Sequence, residues 1–138
     1  MIEVRVLIVE DEILVAMELE ETISDLGYDV VGIAPDRPTA LELASRGVDV
    51  ALVDVNLRDG ETGVEIGRRL ACDGGASVVF VTANASLVSD GVPGALGVMP
   101  KPATREAVAG VVSYALMRRL SRDDIPLPAP PAGLRLFA

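Results

Sequence analysis

Residues 48–56 read VDVALVDVN, a short and nearly all-apolar run that ends abruptly in an acid, Asp54. Val50, Ala51, Leu52 and Val53 lack polar–apolar alternation, which predicts a strand buried on both faces, as in a parallel sheet. Such a strand delivers its last residue to the carboxyl edge of the sheet, where open α/β folds place their chemistry. Asp54 is therefore a carboxylate presented at the expected active edge, and the surrounding chain must show what gathers there.

Upstream, residues 4–9 (VRVLIV) predict a first strand that ends at Glu10 and Asp11. Ala16, Leu19, Ile23 and Leu26 fall at helical spacing, and Gly27 is placed to close that helix. Residues 30–33 form a second short strand. Pro38 suits the first turn of the next helix, which carries Leu41, Leu43 and Ala44 and stops near Gly47. Downstream of Asp54 come a loop over 57–62 and a helix over about 64–71. A fourth strand, VVFV at 78–81, ends at Thr82, and a weaker fifth over 95–99 runs into Pro100–Lys101–Pro102. Thr104 can cap a last helix whose Val108, Val111, Val112, Ala115 and Leu116 make an apolar stripe.

This alternation predicts an α/β fold with a doubly wound, five-stranded parallel sheet. Between the fourth and fifth strands, ANASLVSDGVPG (83–94) holds two glycines, a proline and several poor helix formers, so the fourth helix should be short or irregular. The composition changes again after Arg122. The expected division is a domain over 1–122 and a proline-rich, polyproline-like tail over 123–138. That tail ends in Leu134, Leu136 and Phe137, an apolar cluster unusual in a solvated terminus. Its expected groove lies on a second copy of the chain, as a homodimer, or on the face left thin by the weak fourth helix.

A chain of 138 residues is large enough for one domain with a real core. A formal charge of −9 with scattered basic residues argues against nucleic acid as a partner, because phosphate contacts need clustered Lys and Arg. The single cysteine, Cys72, cannot form an internal disulfide, which fits a reducing compartment. Glu3 and Glu10 interrupt any early apolar run, and no segment approaches the ~18 apolar residues of a membrane span. A soluble, cytoplasmic protein is expected. The absence of histidine excludes any mechanism that uses an imidazole on this chain.

Four strand ends thus carry polar groups: Glu10 with Asp11, Asp54, Thr82 and Lys101. Singly, each has a bland reading as a solvated turn, a helix cap or a surface lysine; together they share one edge of the sheet. Carboxylates about 4 Å apart repel by roughly 4 kcal/mol per pair at an effective dielectric near 20, so three acids with one lysine need another cation. An all-oxygen site of this kind suits Mg²⁺, which takes one or two carboxylates, keeps waters and holds phosphate oxygens. Asp54 is then a candidate nucleophile toward phosphorus, with Mg²⁺ and Lys101 neutralising the transferring group and the Thr82 hydroxyl donating to it.

The set LIVEDE (7–12), LVDVNL (52–57), FVTA (80–83) and Lys101–Pro102 resembles a two-component response-regulator receiver domain, flavodoxin-like in fold, over about residues 3–120. The resemblance implies that Asp54 accepts a phosphoryl group from a histidine kinase or a histidine phosphotransfer protein, changing protein–protein interactions in a phosphorelay. It assigns Asp11 to Mg²⁺ directly, Glu10 largely through water, and Asn56 through its backbone carbonyl. It makes Thr82 the switch hydroxyl and Lys101 the phosphate-pairing lysine, with a bond before Pro102 that is commonly cis. With no output domain following, a stand-alone receiver is expected, and a signalling domain rather than an enzyme, capable at most of slow self-phosphorylation and autodephosphorylation. Three features depart from the pattern. Val98 stands where the family has its switch aromatic, Leu57–Arg58–Asp59–Gly60 replaces the usual Met-Pro, and the span from Thr82 to Lys101 is short. A signal is therefore expected to travel through Thr82 and the 83–94 loop.

Two other readings compete. Haloacid-dehalogenase-like phosphatases also combine an Asp nucleophile, Thr, Lys and Mg²⁺, but want a second Asp two residues after the nucleophile, where this chain has Asn56. A degenerate receiver acting only as a protein-binding module would be expected to lose a key acid or the lysine, and none is lost.

Overall fold

The computed structural model describes residues 3–120 and 126–137. Strands and helices alternate as the apolar patterning dictates: β1 (Arg5–Val9), α1 (Ile13–Asp25), β2 (Asp29–Ala34), α2 (Arg37–Ala44), β3 (Val50–Val53), α3 (Gly63–Cys72), β4 (Ser77–Thr82), β5 (Gly97–Pro100) and α4 (Arg105–Leu120). A single 3-10 turn, Ala85–Val88, stands where the irregular fourth helix is expected. Helix starts follow local chemistry. The Asp36 carboxylate accepts from the Thr39 amide at 3.0 Å, with Pro38 in the first turn of α2; hydrogen bonds from Thr39 hold that carboxyl below its usual range. Thr104 accepts from the Ala107 amide at 3.0 Å and so caps α4. Leu26, which spacing alone places in the α1 stripe, is instead the C-cap residue and is largely exposed, because the helix has ended before it.

The strands run in the order β2-β1-β3-β4-β5, all parallel. All four residues of β3 are buried, as an interior strand covered on both faces requires. Successive side chains alternate between two cores. Leu7, Val9, Ala51, Val53, Val78, Phe80 and Val98 pack with α2 and α3 on one face. Val6, Ile8, Val50, Leu52, Val79, Val81 and Met99 pack with α1 and α4 on the other. At Gly67, α3 comes close to the sheet. A Cβ there would sit 2.5 Å from Cζ of Phe80, the largest fully buried side chain. Glycine costs a helix interior about 1 kcal/mol relative to alanine, and here it makes room for the ring.

The sheet has one strand more than the sequence reading predicts. Arg135–Leu136 forms β6, antiparallel to β5, with Leu136 opposite Gly97 and Arg135 opposite Val98. Alternation along this short strand splits the apolar cluster. Leu134 and Leu136 join the α1/α4 core, while Phe137 joins the other, its ring centroid 6.2 Å from that of Phe80. The cluster thus lies on its own chain, Phe137 filling the side left thin by the 3-10 turn. Of the tail expected from residue 123, residues 123–125 lie outside the described residues; 126–130 are exposed. No described helix is long and apolar enough to cross a membrane.

Because Phe80 supports α3 through Gly67 and also carries Phe137, Phe80→Ala should cost about 3–5 kcal/mol in denaturant melts. Phe137→Ala removes only the half-buried outer ring and should cost less, about 1–2 kcal/mol. A Phe137→Ala melt superimposable on wild type would show that the terminal strand adds nothing to stability.

Candidate phosphoryl-acceptor site

Each candidate residue sits just beyond or at the end of a strand, and a ladder hydrogen bond sets its height. The Glu10 amide donates to the Ala34 carbonyl at 2.9 Å, continuing the β1–β2 pairing. The Asp54 amide donates to Val9 O at 2.9 Å, continuing β3 along β1, and Lys101 N–H donates to Thr82 O at 3.1 Å, continuing β5 along β4. Strand order reverses between β1 and β3, so a crevice opens at their carboxyl ends. It encloses about 220 Å³ and is lined by Asp11, Asp54, Asn56, Thr82, Asn84 and Lys101 among others.

The acids converge. Glu10, Asp11 and Asp54 each offer a carboxylate oxygen within 4.8 Å of the others. Glu10 and Asp54 are buried, at 2% and 7% exposure, whereas Asp11 is exposed to solvent. Lys101 also lines the crevice, and the Lys101–Pro102 bond that follows it is cis. Its Nζ donates to Asp54 Oδ2 at 2.7 Å and pairs with Glu10 Oε1. Glu10 Oε2 also accepts from the Asp11 and Glu12 amides at 3.1 and 3.3 Å, standing in for the side-chain cap that α1 otherwise lacks.

Burial dominates the ionisation of Glu10. Although the Lys101 ammonium pulls the other way, desolvation pushes this carboxyl from 4.5 up to about 7. For Lys101, burial would lower the pKa, but the hydrogen bonds to Asp54 and Glu10 outweigh it and the ammonium is held above its ordinary value. One lysine against three carboxylates leaves the crevice short of positive charge. The donor set is all oxygen, partly solvated and open on the Asp11 side, which fits a small hard cation such as Mg²⁺.

The sequence reading misses three contributors. Gly63 opens α3 directly over the Asp54 backbone, where a methyl group would collide with the Asp54 carbonyl oxygen; its amide donates to Val55 O at 3.0 Å. A glycine at a helix start is the only signal in the sequence. Asn84 donates its amide to Thr82 Oγ1 at 3.0 Å and so orients the buried hydroxyl. The loop replacing the family's Met-Pro closes on itself, Leu57 and Gly60 exchanging backbone hydrogen bonds of 2.8 and 3.0 Å. Asp59 ties it to α2 and α3, accepting from the Arg37 amide at 3.0 Å and the Thr62 hydroxyl at 2.6 Å. Asn56, on the crevice wall, donates a long bond of 3.4 Å from its amide to Asp54 Oδ1.

This geometry has close relatives. The phyllosphere-induced regulator PhyR of Methylorubrum extorquens is 34% identical over 115 residues, covering 81% of this chain. The chain spans 43% of that relative's length. The solution structure of the receiver domain of Erythrobacter litoralis PhyR superposes with a TM-score of 0.77 at 29% identity, covering 89% of this chain and 97% of that one. Bartonella quintana PhyR, described as an anti-anti-sigma factor, superposes with a TM-score of 0.74 at 28% identity, over 87% of this chain and 50% of that one. The family model for the response regulator receiver domain matches residues 6–113. With the fold, the acidic crevice and this match over most of its length, the chain belongs to the response-regulator receiver domain family, a family of signalling modules rather than classical enzymes.

Proposed function

We propose that this protein is a phosphoacceptor in a two-component pathway, with Asp54 taking a phosphoryl group from a phosphohistidine on a histidine kinase or a phosphotransfer protein. The observation that carries this reading is the Lys101 ammonium lying on Asp54 Oδ2 at 2.7 Å, in a crevice where the oxygens of Glu10, Asp11 and Asp54 converge. Asp54 Oδ1, engaged among the described residues only by the long bond from the Asn56 backbone amide, is the freer oxygen and the one we assign as nucleophile. It attacks phosphorus as the bond to the donor imidazole nitrogen breaks, and the electron pair leaves with that ring. Asp11, Asp54 and the Asn56 carbonyl would hold Mg²⁺, with Glu10 behind water; the ion would supply charge neutralisation for the transferring oxygens. Thr82 donates its hydroxyl to a phosphoryl oxygen and Lys101 pairs with another.

The phosphorylated residue carries about −1.5 to −2 charges, and the resulting rearrangement is read by a protein partner. The anti-anti-sigma description of the Bartonella relative supports a protein as the reader. Hydrolysis should be slow, because Asn56 cannot act as general acid or base on an attacking water.

Incubation with acetyl phosphate and Mg²⁺ should add one phosphoryl mass to the intact wild-type chain and none to Asp54→Asn. An unchanged phosphorylated fraction in that variant would overturn the assignment. The ionisation of Glu10 gives a second test, on metal-free protein. Its folded pKa of about 7 lies above the ordinary 4.5, so the native state binds the extra proton in that window and loses stability as pH rises through it. Glu10→Gln has no such proton to lose. In urea melts, its stability relative to wild type should therefore rise between about pH 5 and about pH 7, by on the order of 2 kcal/mol. A pH-independent difference would mean that Glu10 ionises normally.

A further inference from the structure

The path of the terminal segment is written into two glycines that nothing else explains. Gly97 lies in β5, where glycine weakens a strand, and a methyl group there would collide with the Arg135 carbonyl oxygen. Gly110 lies inside α4, where it costs about 1 kcal/mol against alanine, and Pro131 packs over it with Cβ 3.4 Å from where a side chain would begin. Phe137 then packs against Gly91, its Cβ and Cγ 3.6 Å from where a side chain at Gly91 would begin, receives Arg135 above its ring at 5.8 Å, and donates its amide to Leu96 O at 3.0 Å. The site for this segment is built into the domain. The hold is nevertheless limited, because β6 is two residues long, Leu134 is the one buried side chain of 131–137, and Leu136 and Phe137 are only half-buried. A short edge strand with so little burial belongs to the low-stability end of a fold.

The floor under Phe137 leads back to the acidic crevice. Val88 and Val92 belong to the same apolar cluster as Phe80 and Phe137, and their loop begins at Thr82, whose Oγ1 accepts from the Asn84 amide. Drawing the Thr82 hydroxyl toward a group on Asp54 takes that oxygen away from Asn84 and releases the start of the loop. We propose that residues 131–137 form a displaceable cover strand over the β5 edge, and that the Thr82–Val92 loop couples its release to the state of Asp54. The uncovered edge, with Phe80 beside it, takes an extended segment of the pattern Leu-x-Leu-Phe, so a protein partner for this face competes with the chain's own terminus. The coupling half of this inference rests on the phosphoacceptor reading; the cover itself does not.

Hydrogen exchange of the full chain, read at the Phe137 amide, tests both halves. Gly97→Ala should speed exchange there about tenfold or more without any phosphodonor, and Thr82→Val, which removes the acceptor for Asn84, should do the same. Wild type held in acetyl phosphate and Mg²⁺, with phosphorylation verified by intact mass, should match them. Unchanged exchange in Gly97→Ala would overturn the cover strand. Unchanged exchange in Thr82→Val, or in wild type that has demonstrably gained phosphate, would overturn the coupling. Failure to gain phosphate would defeat the phosphoacceptor reading instead, and the two variants would then decide the cover and its link to Thr82.

Discussion

The parallel pairing of β1 with β3 is the constraint from which the site follows. Val6 to Val9 lie opposite Val50 to Val53, residue for residue, and both strands are apolar along that whole length. Two such strands can be buried side by side only while they remain apolar, so both stop at the first acid. The register, with Val9 opposite Val53, then brings Glu10 and Asp54 to the same level on neighbouring strands. The register that hides eight aliphatic side chains is the register that forces two carboxylates together. The crevice is therefore a by-product of core packing at its edge.

Lys101 answers the two carboxylates from the other half of the fold. It arrives through the ladder bond from its amide to Thr82 O and pairs with both buried acids at once. At Glu10 burial outweighs that pairing, and its carboxyl is pushed up to about 7. Three converging carboxylates against a single lysine leave a site that suits a second cation.

Much of this was legible in the residues. Continuous apolar runs gave β1, β3 and β4, and the polar residues at their ends gave the crevice, because strand termini in a parallel sheet share an edge. The cap at Thr104 and the place of Pro38 in the first turn of α2 were readable from residue type; the weakness of 83–94 followed from its glycines and proline. The sixth strand was not readable. Arg135–Leu136 is too short to show a period, follows a proline run that argues for an unpacked segment, and pairs with a strand far away in sequence. The close approaches at Gly63, Gly67 and Gly97 were equally hidden, since a glycine announces only that a side chain is missing and never what fills the space.

The contact between Gly67 and Phe80 has a consequence for how such a sequence can drift. Both residues draw on one fixed volume between α3 and the sheet, so neither position is free to vary alone. A side chain gained on the helix requires one lost from the strand, and a smaller residue at position 80 leaves a void that only a larger one at 67 can close. The distance between α3 and the sheet also carries Gly63 against the Asp54 backbone. Tolerance at a position buried well away from the crevice is thus set by how accurately the Asp54 backbone must be held.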